Sequence, residues 1–134
     1  MDRKHSLDIA SKEDAINYLC DNLIQLGYAT QEYKEDVFKR EEMAGTAFVQ
    51  GFAVPHAITV QPLRSTISVM VLKNPVKWGK YEVRLILLLS ISEQDNQMLH
   101  TFFDWLSNVL IDYNQLMQFI EADNYQQFMK LMTA

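Results

Sequence analysis

Cysteine is nearly absent from this chain. Cys20 is the single one, which excludes an internal disulfide and any cysteine-built metal cluster. It falls inside an amphipathic helical pattern and reads as a small buried hydrophobe rather than a reactive thiol. Histidine is scarce as well: His5, His56 and His100 lie far apart, and no HxxxH, HExxH or CxxC spacing brings metal ligands together. No GxGxxG or GxxxxGK[ST] loop is present, so a nucleotide site has no support. The longest apolar run, "VRLILLLSI" from Val83 to Ile91, is interrupted by Arg84 and falls well short of the roughly 20 residues of a membrane helix. The N-terminus, "MDRKHSLDIA", lacks a secretory apolar core, so the expected compartment is the cytoplasm, with no direct membrane insertion. The net charge of −5 comes without a basic block or a basic–aromatic patch, which argues against direct nucleic-acid binding.

What is present is an ordinary globular composition. A chain of 134 residues with 49% apolar and 22% charged residues has room for one sizeable core, and residues 1–134 read as a single domain. Ser11 with Asp14 three residues on forms a capping box with an acid in the Glu position. Ala15, Ile16, Leu19, Leu23 and Leu26 follow at helical spacing, and Gly27 suits the residue after the helix end. Thr30 caps a second predicted helix through "QEYKEDVFKREEM", with Val37, Phe38 and Met43 on one side and Gly45 ending it.

The texture then changes. "TAFV" and "FAV" read as short strands around Gly51, in a hairpin or a bulge. "TISVMVL", Thr66 to Leu72, alternates Ile67, Val69 and Val71 against Met70 and Leu72. "NPVKWG" reads as a turn-rich connection, and Val83 to Ile91 as a central strand covered on both faces. Leu99, Phe102, Phe103, Leu106 and Leu110 form a helical stripe. Asn114 and Asp123 are candidate caps of two further helices, the second with Phe128, Met129 and Met132 inward. The predicted fold is α/β: a three-layer sandwich in which a mixed, mostly parallel sheet is flanked by helices on both faces.

One stretch points to chemistry. In "GFAVPHAITV", Pro55 removes a backbone donor and pushes Val54 to extended geometry, so His56 follows a strand end. A free imidazole has a pKa near 6.5, is mostly neutral at cellular pH, and can accept a phosphoryl group on one nitrogen while the other donates a hydrogen bond. A phosphoryl group in transfer needs positioning and a cation, for which the arginine fork is suited.

The stretch "REEMAGTAFVQGFAVPHA", Arg40 to Ala57, resembles the enzyme IIA domain of the bacterial sugar phosphotransferase system, fructose/mannitol type. Arg40, Glu41, Thr46, Gly51, Ala53, Pro55 and His56 match its signature, and the resemblance extends over most of the chain. It implies that His56 takes a phosphoryl group from the phosphocarrier HPr and passes it to a cysteine of an enzyme IIB partner, with Arg40 on the phosphoryl oxygens and no metal or organic cofactor. It also implies a mixed sheet between helices. Glu41 is the structural member of the set; Thr46 is a candidate for a hydrogen bond near the site. His5 reads as an inert residue of a frayed tail, and Trp78 and Trp105 as packing residues.

The resemblance implies a second site histidine near the start of the long helix, for which His100 is the candidate. Anchored on "LSNVL", the family position falls on Leu99, one residue and a rotation of about 100° away; Asp104, four residues on, is within reach of the His100 ring. Enzyme IIA-like domains also terminate some bacterial transcription activators and antiterminators, where the phosphoryl group is a signal. The sequence therefore supports a phosphotransferase component that relays cargo, a phosphorylation-sensing regulatory module joined to transcription-regulator domains, or a binding module that exchanges no phosphoryl group.

Overall fold

Ser11 opens the first helix as its capping pattern predicts. Its hydroxyl accepts from the Asp14 N–H at 3.1 Å, and the Asp14 carboxylate accepts from the Ala10 N–H, also at 3.1 Å. In the computed structural model, which describes residues 4–5, 9–48, 51–111 and 118, this helix is α1, Lys12–Gln25. Leu26 caps it, and Gly27 follows at φ +81, where an L side chain is strained. The Tyr28 N–H reaches the Leu23 carbonyl at 2.8 Å and the Gly27 N–H reaches Ile24 at 3.0 Å, which is a Schellman end. Thr30 caps α2, Gln31–Met43, by accepting from the Tyr33 N–H at 3.1 Å.

Among the described residues five strands make one sheet: β1 (Lys4–His5), β2 (Ala47–Phe48), β3 (Phe52–Ala53), β4 (Thr66–Trp78) and β5 (Tyr81–Ser90), in the order β1-β4-β5-β3-β2. The expected predominance of parallel pairing is corrected here. β1/β4 and β3/β5 are parallel, while β2/β3 and the long β4/β5 pair are antiparallel. The reason is local: Trp78 faces Tyr81 across a two-residue turn, Gly79 takes φ +66, and so short a connection joins only antiparallel strands.

Two further expectations change. Lys4–His5 is a parallel edge strand on Val71 and Leu72, not a frayed tail. "NPVKW" continues β4 rather than turning away, because a register shift between Val71 and Val76 accommodates Pro75 where the ladder is interrupted.

Alternation along β4 and β5 feeds two cores. Met70, Leu72, Ile86 and Leu88 pack with Ala15, Ile16, Leu19 and Leu23 of α1 and Tyr33 and Val37 of α2. Ile67, Val69, Val71, Leu85, Leu87 and Leu89 pack with Phe102, Trp105 and Leu106 of α3, Asn96–Ile111, which a 3-10 turn at Glu93–Asp95 precedes. Each such aliphatic side chain contributes about 1.5–3 kcal/mol by leaving water. Met43 is exposed rather than inward with Val37, and Phe103 is exposed where the stripe placed it with Phe102. Cys20 is fully buried, and burial pushes its thiol up to about 12 against a smaller downward pull from Lys34. Among the described residues no helix is long and apolar enough to cross a membrane. Leu110 falls within α3, while the predicted caps Asn114 and Asp123, and Phe128, Met129 and Met132, lie outside the described residues.

Candidate functional site

His56 owes its position to the central strand. β3 runs parallel to β5 with Phe52 opposite Leu85 and Ala53 opposite Ile86. The pairing outlasts the strand: the Leu89 N–H donates to the Pro55 carbonyl at 3.0 Å, and His56 bridges Leu89. Pro55 has no N–H to donate, so the ladder is interrupted between β3 and the bridge at His56. The imidazole therefore stands at the carboxyl end of parallel strands, where open α/β sheets hold ligands.

The ring is half-buried, and its Nδ1 lies 3.0 Å from the Val54 carbonyl oxygen. A carbonyl only accepts, so Nδ1 carries the proton and Nε2 the lone pair. One nitrogen is thereby anchored and the other keeps its lone pair available.

His56 lines an open cleft of about 280 Å³ with a largely apolar wall that includes Tyr33, Ile58, Gln61, Leu89, Leu99 and Phe103. Tyr33 is locked by donating to the Leu89 carbonyl at 3.0 Å and by a 2.7 Å hydroxyl pair with Ser90. Burial pushes its phenol well above the ordinary tyrosine range, with the Ser90 bond acting in the opposite direction.

The segment after His56 is tied down from several sides. Asp36, a buried carboxylate of α2, accepts through one oxygen from the backbone N–H groups of Ile58 at 2.9 Å, Thr59 at 2.8 Å and Val60 at 2.8 Å. Burial by itself raises a carboxyl pKa; the three backbone donors outweigh it, Lys39 adds to them, and the net shift is downward. The Tyr28 carbonyl accepts from the Leu63 N–H at 2.8 Å, and Gln61 accepts from the Glu93 N–H at 2.7 Å. No sequence pattern identified Asp36, whose partners lie 22 to 24 residues away.

The segment before His56 rests on Glu41. This buried carboxylate accepts from the Thr46 N–H at 3.0 Å, the Thr46 hydroxyl at 2.7 Å and the Trp78 indole at 2.8 Å, with Lys12 at 3.6 Å. The Thr46 carbonyl in turn accepts from the Val54 N–H at 3.1 Å. The Thr46 side chain thus serves Glu41, and its carbonyl holds the residue that holds His56. Trp78 packs as expected and also donates.

Arg40 sits in the last turn of α2, half-buried, with Nη1 donating to the Ala44 carbonyl at 2.6 Å. Basic groups suit that end of a helix. Among the described residues, neither Arg40 nor His100 belongs to the cleft wall. His100 is exposed on α3, and the wall position beside His56 belongs to its neighbour Leu99, in keeping with the rotation of about 100° per residue.

The fold is an open α/β sheet that presents a Nδ1-anchored histidine beside a largely apolar cleft. The chain belongs to the family of the phosphoenolpyruvate-dependent sugar phosphotransferase system, EIIA 2, whose profile matches residues 4–134. It is 29% identical over 90% of its length to the probable licABCH operon regulator of Bacillus subtilis, of which it covers 19%. It is 31% identical over 93% of its length to the multiphosphoryl transfer protein of Shigella flexneri, of which it covers 16%. The chain thus spans less than a fifth of the length of these curated relatives. Its fold matches enzyme IIA of mannitol in the Escherichia coli complex with phosphorylated enzyme IIB at a TM-score of 0.78 and 20% identity, covering 96% of this chain and 91% of that one.

Proposed function

We propose that this chain acts as one enzyme IIA-like domain of the cytoplasm that accepts a phosphoryl group on His56 Nε2 from phosphorylated HPr and donates it to a cysteine of an enzyme IIB partner. The observation that carries this reading is the 3.0 Å contact between His56 Nδ1 and the Val54 carbonyl, which leaves the Nε2 lone pair available on a residue that lines the cleft. In the accepting step, Nε2 forms a bond to phosphorus as the bond from phosphorus to the donor's leaving atom breaks, and the electron pair returns to that atom. The imidazole needs no proton removed, because the nitrogen that reacts carries none. In the donating step a cysteine thiolate displaces His56 from phosphorus. Arg40 is assigned to the phosphoryl oxygens: its fork carries five donors, and the bond to Ala44 engages one of its nitrogens.

A second reading has an observation in its favour. With Leu99 on the cleft wall and His100 in solvent, His56 has no second imidazole beside it among the described residues lining the cleft. That arrangement suits a domain whose phosphorylation state is read as a signal, and the similarity to an operon regulator points the same way.

The test is a reconstituted relay of phosphoenolpyruvate, enzyme I, HPr and this protein, followed by mass spectrometry. The expected result is an acid-labile gain of one phosphoryl group that disappears in His56→Ala. No gain, with HPr phosphorylated and the domain folded, overturns the reading. Onward transfer to enzyme IIB then separates cargo from signal.

A further inference from the structure

Asp36 has no place in the phosphoryl chemistry, yet it spends a buried charge on three successive N–H groups immediately after the acceptor. Only Ala57 separates His56 from the first of them. Ile58 and Val60 from this clamped segment line the cleft together with Gln61 next to it and with Leu99 and Phe103 of α3. Three N–H groups converging on one carboxylate oxygen define the backbone path of the segment closely, because each loses its partner if the segment lifts. The imidazole itself is held independently, by the Val54 carbonyl, and the His56 backbone by its bridge to Leu89. The two functions are thus mechanically separate: Val54 aims the nucleophile, and Asp36 shapes the surface around it.

That surface is apolar and partly exposed. Ile58 is 45% exposed on the clamped segment, and Phe103, which also lines the cleft, is 46% exposed. An apolar rim around a nucleophile suits a protein partner that must exclude water from a phosphoryl group in flight.

We propose that Asp36 is a positioning residue for phosphoryl transfer, holding residues 58–60 so that the apolar wall beside His56 is preformed for the phosphorylated donor protein. The proposal rests on the relay reading above. It predicts a defect in docking rather than in the chemistry of the imidazole.

The experiment compares wild type, Asp36→Asn and Asp36→Ala with two donors. One is phosphorylated HPr, titrated for KM and kcat. The other is phosphoramidate, a small donor whose P–N bond breaks as the His56 Nε2–P bond forms, releasing ammonia without any docking surface. For Asp36→Ala we expect KM for phosphorylated HPr to rise about ten-fold with kcat within about two-fold, because lost preorganisation is felt in binding. The rate with phosphoramidate should stay within about two-fold of wild type, since the Val54 anchor is intact. Asp36→Asn keeps one accepting oxygen without the charge, folds where Ala fails, and should show a smaller rise, about three-fold. Amide exchange should accelerate at Ile58, Thr59 and Val60 in step with KM. Accelerated exchange with an unchanged KM overturns the proposal, as does an equal loss with both donors, which would place the defect in the imidazole. Wild type that phosphoramidate labels but phosphorylated HPr does not would sink the relay reading itself, and this proposal with it.

Discussion

The Trp78 indole donates to the Glu41 carboxylate at 2.8 Å, joining the end of α2 to the turn of the long β4–β5 hairpin across 37 residues of sequence. The same carboxylate fixes both the N–H and the hydroxyl of Thr46, so its removal orphans three buried donors at once. Glu41→Ala should therefore cost about 3 kcal/mol, read as a lower urea midpoint at unchanged m. Trp78→Phe, which loses one bond and some packing, should cost about 1–2 kcal/mol.

His56→Ala should abolish labelling while shifting stability by no more than about 1 kcal/mol, because the half-buried ring contributes one hydrogen bond to the fold. His100→Ala should leave the rate from phosphorylated HPr within about two-fold, since the side chain is exposed and off the cleft wall. Leu99→His is the informative partner: it puts an imidazole on the wall, and a faster transfer in this variant would link that position to the rate.

Arg40→Ala separates two roles. Loss of the bond to Ala44 at the helix end should lower stability by at most about 1 kcal/mol. If the guanidinium holds phosphoryl oxygens, the transfer rate should fall about 100-fold, and Arg40→Lys should recover only part of it. Equal rates in wild type and Arg40→Ala would confine this residue to capping.

The pH dependence follows from burial. The Cys20 thiol is raised to about 12 in the folded chain, so the folded state holds this proton where the unfolded chain has begun to lose it. Its contribution is whole below the ordinary thiol range and is lost as pH climbs towards about 12. The raised Tyr33 phenol acts with the same sign at higher pH. Asp36 acts oppositely: its pKa is lowered, so its contribution is present above the ordinary carboxylate range and is lost only as pH falls beneath it. Denaturation at pH 7, 9 and 10 should show declining stability, with a shallower decline in Cys20→Ala. Native Cys20 should resist an aromatic disulfide reagent and react on unfolding.

Local rules carried much of the architecture. The caps at Ser11 and Thr30, the Schellman glycine and the two faces of β4 are all encoded within a few residues of themselves, and they stand where the sequence predicts. What escaped depends on partners far along the chain. "NPVKW" carries turn residues, and only its neighbour β5, with a bulge to absorb Pro75, makes it a strand. Lys4–His5 becomes a strand only because Val71 and Leu72 lie open beside it. At the site, His56 was legible because proline and glycine frame it within one short stretch. Asp36 was not, since a helical acid leaves no periodic trace when its partners lie on a loop more than twenty residues on. The Leu99 wall position was foreshadowed by counting back from "LSNVL".

The Val54 carbonyl that holds His56 Nδ1 at 3.0 Å lies two residues before it, in the same stretch of backbone. The ring is thus aimed against a reference that travels with it. A small shift of the surrounding helices moves anchor and imidazole together and leaves their mutual geometry unchanged.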